Sequence, residues 1–335
     1  VAGDKVRARE VAALAQASQS TVSRVFAGDT RISEATRQRV FAAAKELNYQ
    51  PNLIARSLKN ASTGIVGVVV TDLDNPYHAH TLKLLIDEMS DRGLAPLVFA
   101  CNSGDRAGAA IGRLMSYQVD AVIGLAAPFD TEIVARCAVG RKPLVLMNRY
   151  AGPEPVHVIG GGARRGGALV ADHLVARGGR RFGYFAGEDS TCISQDREAG
   201  FRERLAVHGH DGIARAASRY GYAEAYAAAG ALLAARPDAV FCANDTLAFA
   251  LIDRARDDFA CRVPEDLLVV GYDNSAVAHW PPYTLTSVDQ NLDVMVAEAV
   301  TTALTLIEAP ATPPRQREIE PRLVVRASTD ARPVA

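Results

Sequence analysis

The sequence predicts an all-α helical module at its N-terminal end, followed by a much larger α/β part built on parallel sheets. Three observations carry this. Three apolar stripes at helical spacing are crowded into residues 5–50. From about residue 63, short β-rich apolar runs alternate with segments of helical periodicity. The chain has 335 residues, 49% apolar and 22% charged. That is enough for about two domains with their own cores and a small extra module.

The helical module reads element by element. Val11, Leu14 and Ala15 stand at i, i+3, i+4, and so do Val22, Val25 and Phe26. Val40, Ala44 and Leu47 stand at i, i+4, i+7. Each set lays an apolar stripe along one helix, and together they suit a three-helix cluster. Pro51 then ends one helix or begins another. The stretch from Tyr49 to Asn60 is too short for a helix standing alone in water, so it reads as a hinge that orders on a partner. Beyond it lie the runs Ile65–Val70, Pro96–Ala100, Ala121–Leu125, Leu144–Met147, Phe182–Ala186, Ala239–Ala243 and Leu267–Tyr272. Leu82–Met89, Gly167–Ala176 and Ala223–Ala235 have helical periodicity between them. Such alternation makes parallel sheets covered on both faces. It extends from residue 65 to residue 272, more than one sheet needs, which predicts two lobes.

Charge separates the parts further. Lys and Arg number 37 against 38 Asp and Glu, a net of −1. Residues 1–60 hold ten of the basic and five of the acidic residues, so this end is +5 and the remainder −6. An asymmetry of this kind points to a nucleic-acid-binding end. No apolar run approaches the roughly 18 residues of a membrane span. No charged start, apolar core and cleavage site mark an export signal. The five cysteines (Cys101, Cys137, Cys192, Cys242, Cys261) are odd in number and lack Cys-x-x-Cys spacing. They read as thiols of a reducing cytoplasm, with neither disulfide nor metal site.

The informative segment of the module runs from Ala15 to Phe26. A helix ends near Ala15, and Ser18 is placed to cap the next by accepting from a free N–H. That helix begins Gln19, Ser20, Thr21, all short or hydrogen-bonding side chains. This is a helix-turn-helix plan, in which the first turns of the second helix reach base edges in the major groove. Gln19 or Ser20 suits a base, and Arg24 suits a guanine or a phosphate. An ordinary capped surface helix would read the same over so short a stretch.

A longer stretch separates the two readings. Residues 10–60 closely resemble the DNA-binding headpiece of the LacI/GalR family of bacterial transcription regulators. The resemblance rests on Glu10-Val11-Ala12, Ser18-x-x-Thr21-Val22-Ser23-Arg24-Val25, Ile32-Ser33-x-x-Thr36-Arg37-x-x-Val40 and Leu47-Asn48-Tyr49-x-Pro51-Asn52-x-x-Ala55-x-x-Leu58. It implies that Gln19 and Ser20 read bases, and that Thr21, Ser23, Arg24, Ser33 and Thr36 hold phosphates. It places Arg31 in the loop beside the DNA backbone, and Asn52 among the DNA contacts of the hinge segment. Leu58 matches a leucine wedged into the operator's minor groove, with Ala55 facing the same groove. Such a wedge unstacks a base step and bends the duplex. Two positions depart from the pattern. Gln16 replaces the usual turn glycine, so the turn is expected to take a non-glycine conformation. Arg7 stands where a polar cap usually opens the first helix.

The resemblance continues along nearly the whole chain. It implies a core similar to periplasmic sugar-binding proteins, two α/β lobes joined by three crossovers with ligand between them. The expected divisions are a headpiece at 1–50, a hinge at 51–62 and a core at 63–335. In that core the N-lobe takes about 63–160 plus 291–320, and the C-lobe about 161–290 plus the C-terminal segment. In open α/β sheets, ligands bind at the carboxyl ends of strands. Asp74-Asn75-Pro76-Tyr77, Asn148-Arg149, Cys242-Ala243-Asn244-Asp245, Gly271-Tyr272-Asp273 and Gln290 all follow expected strands. Arg197-Glu198-Ala199-Gly200-Phe201 matches a family motif whose arginine binds ligand. The implied ligand contacts are Asn75, Tyr77, Asn148, Arg197, Tyr222, Asn244, Asp273 and Gln290, with Tyr222 as the stacking aromatic. Amides and carboxylates would bond hydroxyls, Arg would add a directional fork, and aromatics would cover ring faces. Asn244 and Asp245 also suit helix caps, Asp273 a turn, and Asn75 a brace for its own loop.

Other motifs carry less. Residues 160–167 are glycine-rich but match neither phosphate-binding loop, and read as a flexible approach to a helix. His78-Ala79-His80 and His208-Gly209-His210 lack carboxylate or cysteine company for a metal. No nucleophile–base set is evident, so the chain is not expected to be an enzyme or to need a cofactor. The reading is a cytoplasmic regulator, a repressor in the first instance. It binds a near-palindromic operator as a homodimer and responds to a sugar, sugar acid or similar effector. A ligand-dependent activator or corepressor-type regulator is an alternative, as is a solute-binding protein with no DNA role.

Overall fold

In the computed structural model, which describes residues 6–26, 29–49, 62–101, 104–125, 131–140, 142–148, 155–187 and 192–330, the chain divides into two units, Val1–Thr63 and Gly64–Ala335. Within the first unit the described helices are α1 (Ala8–Leu14), α2 (Gln19–Phe26) and α3 (Glu34–Glu46). Their shared core is small: Val11, Ala12, Ala15, Val22, Val25, Val40, Ala43 and Ala44. Phe26 covers it, edge-on to Phe41 at 5.5 Å and tilted against Tyr49 at 5.9 Å. The inner stripe of α1 differs from expectation by one position. Leu14 is exposed and Ala12 is buried, because small side chains let the helices approach closely.

The second unit holds two six-stranded sheets. The first has strands β1 (Ile65–Thr71), β2 (Ala95–Cys101), β3 (Ala121–Leu125), β4 (Leu144–Met147), β5 (His157–Gly160) and β11 (Gln316–Glu318). The second has β6 (Phe182–Ala186), β7 (Ile213–Ala217), β8 (Ala239–Cys242), β9 (Leu268–Tyr272), β10 (Thr286–Asp289) and β12 (Arg322–Val324). Their orders are β11-β5-β4-β3-β1-β2 and β12-β10-β9-β8-β6-β7. Each lobe is thus a doubly wound sheet with one strand added at its edge by the C-terminal segment. The helices are α4 (Pro76–Asp91), α5 (Gly104–Ser116), α6 (Thr131–Val139), α7 (Ala163–Ala176), α8 (Cys192–Val207), α9 (Tyr222–Ala234), α10 (Asp245–Phe259) and α11 (Leu292–Glu308).

The central strands are apolar without alternation because both faces are covered. Leu144–Met147, Phe182–Ala186 and Leu268–Tyr272 are buried throughout. The chain passes between lobes after β5, after β10 and after β11. Helix α11 follows a strand of the second sheet but buries Met295, Val296, Ala299, Val300 and Ala303 in the first lobe. One strand departs from the expected parallel order: β12 runs antiparallel to β10, pairing Ser287 with Val324. An antiparallel strand at an edge pairs on one side only, so it leaves the parallel ladder intact.

The glycine-rich approach to α7 proves to be a packing device. Helices α7 and α8 lie so close that a Cβ at Gly167 would strike the Arg197 carbonyl. One at Gly200 would strike that of Arg164. This backbone contact holds α8, and with it Arg197, against the second lobe. We expect Gly200→Ala to lower stability by about 1–3 kcal/mol, because neither backbone has a side chain to move aside. Gly112→Ala, at an exposed helical position with nothing near its Cβ, should raise it by about 0.5–1 kcal/mol. Urea denaturation of the two variants checks both signs.

Candidate functional site

In the headpiece, local chemistry presents α2. Helix α1 opens without a polar cap. Instead the Glu10 carboxylate reaches back to accept from the Arg7 N–H at 3.2 Å. The turn after α1 corrects the expectation for Gln16. It takes φ 51°, the left-handed region glycine favours, not an alternative conformation. The cost is about 1–2 kcal/mol. It is offset by the turn's own bonds, Ala17 N–H to the Ala12 carbonyl at 2.9 Å and Arg39 Nε–H to the Ala15 carbonyl at 3.4 Å.

Ser18 caps α2, accepting from the Thr21 N–H at 3.0 Å. Its hydroxyl also lies 2.7 Å from Ser20 Oγ and 2.8 Å from Thr21 Oγ1. Val22 and Val25 are buried, whereas Gln19, Ser20, Ser23 and Arg24 are exposed on the outer face. Ser33 caps α3 through the Thr36 N–H, with its hydroxyl 2.9 Å from Thr36 Oγ1. Arg31 is exposed in the loop between, paired with Asp29. The second and third helices therefore both start with free N–H groups beside hydroxyls, an arrangement suited to phosphate. Asn52, Ala55 and Leu58 lie outside the described residues.

In the core, the strand ends bring most of the expected residues into one hydrogen-bonded chain. Asn148, just past β4, donates from Nδ2 to Tyr77 Oη at 2.6 Å and to Gln290 Oε1 at 2.9 Å. Gln290, just past β10, donates to Asp273 Oδ1 at 2.8 Å. Arg197 Nη2 lies 3.5 Å from the same oxygen, and Arg197 Nη1 donates to the Ala243 carbonyl at 2.6 Å. The chain runs from Tyr77 and Asn148 of the first lobe to Asp273 and Arg197 of the second, with Gln290 at a crossover between them. Asn148 is fixed further by accepting the Gly161 N–H at 3.0 Å.

Burial sets the electrostatics. Arg197 is 7% exposed, and its guanidinium lies 3.7 Å above the Tyr272 ring. Burial works against this cation, but Asp273 together with the Tyr272, Tyr220 and Tyr184 hydroxyls more than offsets it, so Arg197 stays charged. Burial pushes the Asp273 carboxyl up to about 7, although Arg197 pulls the other way. Burial likewise raises the Tyr77 hydroxyl far above its usual range. Among the described residues, the buried Arg197 Nε–H has no hydrogen-bond partner. A ligand oxygen placed there would satisfy it.

Three expected contacts have other occupations. Asn75 caps α4, its Oδ1 accepting from the Tyr77 N–H at 3.0 Å. Asn244 caps α10 through the Leu247 N–H at 2.9 Å. Tyr222 is not brought to the chain at all. Its hydroxyl donates to Asp253 at 2.7 Å and its ring stacks on Tyr226 along the α9–α10 seam. A further aromatic beside the site, with Tyr77 and Tyr272, is Tyr220, against Gly187 at the end of β6 and close enough to Arg197 to perturb it. The sequence pattern singles out neither Tyr220 nor Tyr272 as a ligand contact. The signal for Tyr220 was its place in the loop after a strand, two residues before Tyr222 begins a helix. Asp245 is a buried brace, accepting from the Ser275 N–H at 2.7 Å and Ser287 Oγ–H at 2.6 Å.

Three of the four histidines in the two pairs are also occupied. His208 bonds Asp172 at 2.6 Å, His210 packs on Phe182, and His78 Nδ1 lies 3.1 Å from the Asp72 carbonyl. Among the described residues no cluster could hold a metal, and no helix is long and apolar enough to cross a membrane. None of the five cysteines is joined in a disulfide.

The raised Asp273 has a consequence for stability. Its unfolded value is near 3.9, so between about pH 4 and about pH 7 the folded state holds a proton that the unfolded state releases. Its contribution is therefore present below about pH 4 and is lost as the pH rises through that window. Asp273→Asn should abolish this trend. The variant's Tm relative to the wild type should rise by roughly 8 °C across the window, whatever its starting offset. Thermal denaturation over a pH series measures it.

Residues 8–52 match the family model described as bacterial regulatory proteins, lacI family, and residues 171–329 match a periplasmic binding protein-like domain. The chain is 32% identical over 329 residues to the HTH-type transcriptional regulator CelR of Thermobifida fusca, covering 95% of this chain and 96% of that protein. It is 29% identical over 329 residues to the ribose operon repressor of Haemophilus influenzae, covering 96% and 97%. Among solved structures, a CelR–cellobiose complex is 30% identical with TM-score 0.72, covering 97% of this chain and 100% of that one. The lac repressor dimer bound to operator and an anti-inducer shares the fold at 24% identity and TM-score 0.85, covering 97% and 99%. A helix-turn-helix headpiece, a two-lobed core and full-length relatives at this identity together place the chain in the lacI family of bacterial regulatory proteins, which are transcription regulators and not enzymes.

Proposed function

We propose that this regulator is a cytoplasmic repressor that binds a near-palindromic operator as a homodimer and is controlled by a small polar metabolite bound between its lobes. A symmetric dimer matches a symmetric site. The observation that carries the effector half is the polar chain from Tyr77 to Arg197, which ends on a buried N–H donor without a partner. A sugar or related polyol fits it. Hydroxyls would exchange hydrogen bonds with Asn148, Gln290 and Asp273, Arg197 would supply the fork, and Tyr77 and Tyr220 would cover apolar ring surface. Relatives named for ribose and cellobiose support that class.

The ligand would act by preferring one arrangement of the two lobes, since only differential affinity shifts such an equilibrium. In the headpiece, Gln19 and Ser20 would read bases. Thr21, Ser23, Arg24, Arg31, Ser33 and Thr36 would hold phosphates, while Asn52, Ala55 and Leu58 would serve the hinge at the minor groove.

A thermal-shift screen of sugars, sugar acids and nucleobases, followed by a gel shift with the compound that stabilises the chain, tests the whole reading. Stabilisation without any change in DNA binding would refute effector control. Arg197→Ala should abolish the response to effector while leaving operator affinity within about twofold, because Asp273 can take up a proton when its partner is removed. Leu58→Ala should weaken operator binding by about tenfold at fixed salt, with the thermal transition unchanged.

A further inference from the structure

The loop between α2 and α3 holds an ion pair of unusual asymmetry. Asp29 accepts three bonds from one residue: the Arg31 backbone N–H at 3.0 Å and Nε–H at 2.9 Å on Oδ1, and Nη2–H at 2.8 Å on Oδ2. The two side-chain bonds form a bidentate fork, the geometry that fixes a guanidinium in plane and direction. The Asp29 side chain is only 14% exposed, whereas that of Arg31 is 82% exposed. Asp29 is itself tied to the end of α2, donating its N–H to the Arg24 carbonyl at 3.1 Å, while Arg37 Nη2 reaches the Asp29 carbonyl at 3.5 Å. The carboxylate thus belongs to the loop and the guanidinium to the solvent. A guanidinium has five N–H donors, and this fork uses only the inner edge.

We propose that Asp29 is a positioning residue for DNA binding, holding the outer edge of the Arg31 guanidinium ready for a backbone phosphate. This rests on the reading of Arg31 as a phosphate contact. A free arginine loses rotamer freedom when it binds, and an arginine already held loses less. The bonds from Arg31, aided by the Arg31 and Arg24 charges, keep the Asp29 carboxyl well below the usual carboxylate range. The pair therefore stays intact wherever DNA binding is measured. Two effects of Asp29 oppose each other. Its negative charge repels the duplex, and its fork orders Arg31. Their signs differ, which makes the proposal decidable.

Asp29→Asn separates them. Asparagine keeps a carbonyl oxygen for the Arg31 backbone N–H, so the turn survives, but it turns an NH₂ towards the guanidinium and loses the fork. The full-length chain, Asp29→Asn, Arg31→Ala and the double variant are compared by fluorescence anisotropy. The probe is a labelled duplex carrying the site that the wild-type chain selects from a randomised pool, titrated over a range of salt. Thermal denaturation checks each fold.

The expected result is that Asp29→Asn weakens binding by about three- to tenfold despite removing a negative charge. In the Arg31→Ala background it should not weaken binding at all. Arg31→Ala alone should weaken binding and reduce the salt slope by roughly one. If Asp29→Asn binds as well as or better than wild type while Arg31→Ala weakens binding, positioning is overturned and the phosphate role of Arg31 stands. An equal loss in both backgrounds overturns it too, by showing that Asp29 acts without Arg31. If Arg31→Ala changes neither affinity nor slope, the phosphate reading fails and the proposal with it.

Discussion

A buried guanidinium with a single carboxylate partner organises the core of this protein. Arg197 sits on α8, out of water, over the Tyr272 ring and beside Asp273. An isolated buried charge is costly, so every group around it must be arranged for it. The Ala243 carbonyl takes one N–H, Asp273 faces another, and Gln290 holds Asp273 in place. The close approach of α7 and α8 at Gly167 and Gly200 delivers the helix that carries the charge. Among the described residues the Arg197 Nε–H and the Tyr272 hydroxyl remain buried without partners there, and a polar ligand is the natural partner for them.

The same arrangement joins the lobes. Asn148 at a strand end and Tyr77 at the start of α4 belong to the first lobe, Asp273 at a strand end and Arg197 on α8 to the second, and Gln290 to a segment crossing between them. Each amide has one sense that satisfies its neighbours, so the chain is directional and any ligand entering it must replace bonds on both sides. A change in lobe arrangement therefore alters specific hydrogen bonds, which is what a two-state element biased by a ligand requires. The headpiece works differently. Its core is made of alanines and valines, too small to be generous, and its helices depend on local caps: Glu10 on α1, Ser18 on α2 and Ser33 on α3. The hydroxyls that cap α2 and α3 are themselves exposed.

Much of this was legible in sequence because the patterns were long. The central strands are continuous apolar runs, and burial on both faces is what makes them so. The strands β11 and β12 were not legible. They are three residues each, β11 exposed and β12 only half-buried, and their membership of a sheet comes from a neighbour far away in sequence. Leu14 read as core by spacing, but the packing of small side chains chose Ala12. Gln16 read as a residue avoiding the glycine conformation, but the turn's backbone bonds held it there. Tyr222 read as the site aromatic, yet its hydroxyl found Asp253 across a helix seam, and the loop residue Tyr220 took the place beside Arg197.

By itself the sequence determined the helix-turn-helix module, the alternating α/β core, the charge division between them and the set of polar residues at strand ends. These are local or periodic properties, and neighbours in the chain enforce them. Only the tertiary structure decided which polar residues meet. Asn148 and Gln290 are far apart along the chain, and Asp273 and Arg197 stand on different elements. Their bonding depends on where two sheets and a crossover place them. Tertiary structure also decided protonation, since burial raises the Asp273 carboxyl and no sequence pattern records how much water reaches a side chain.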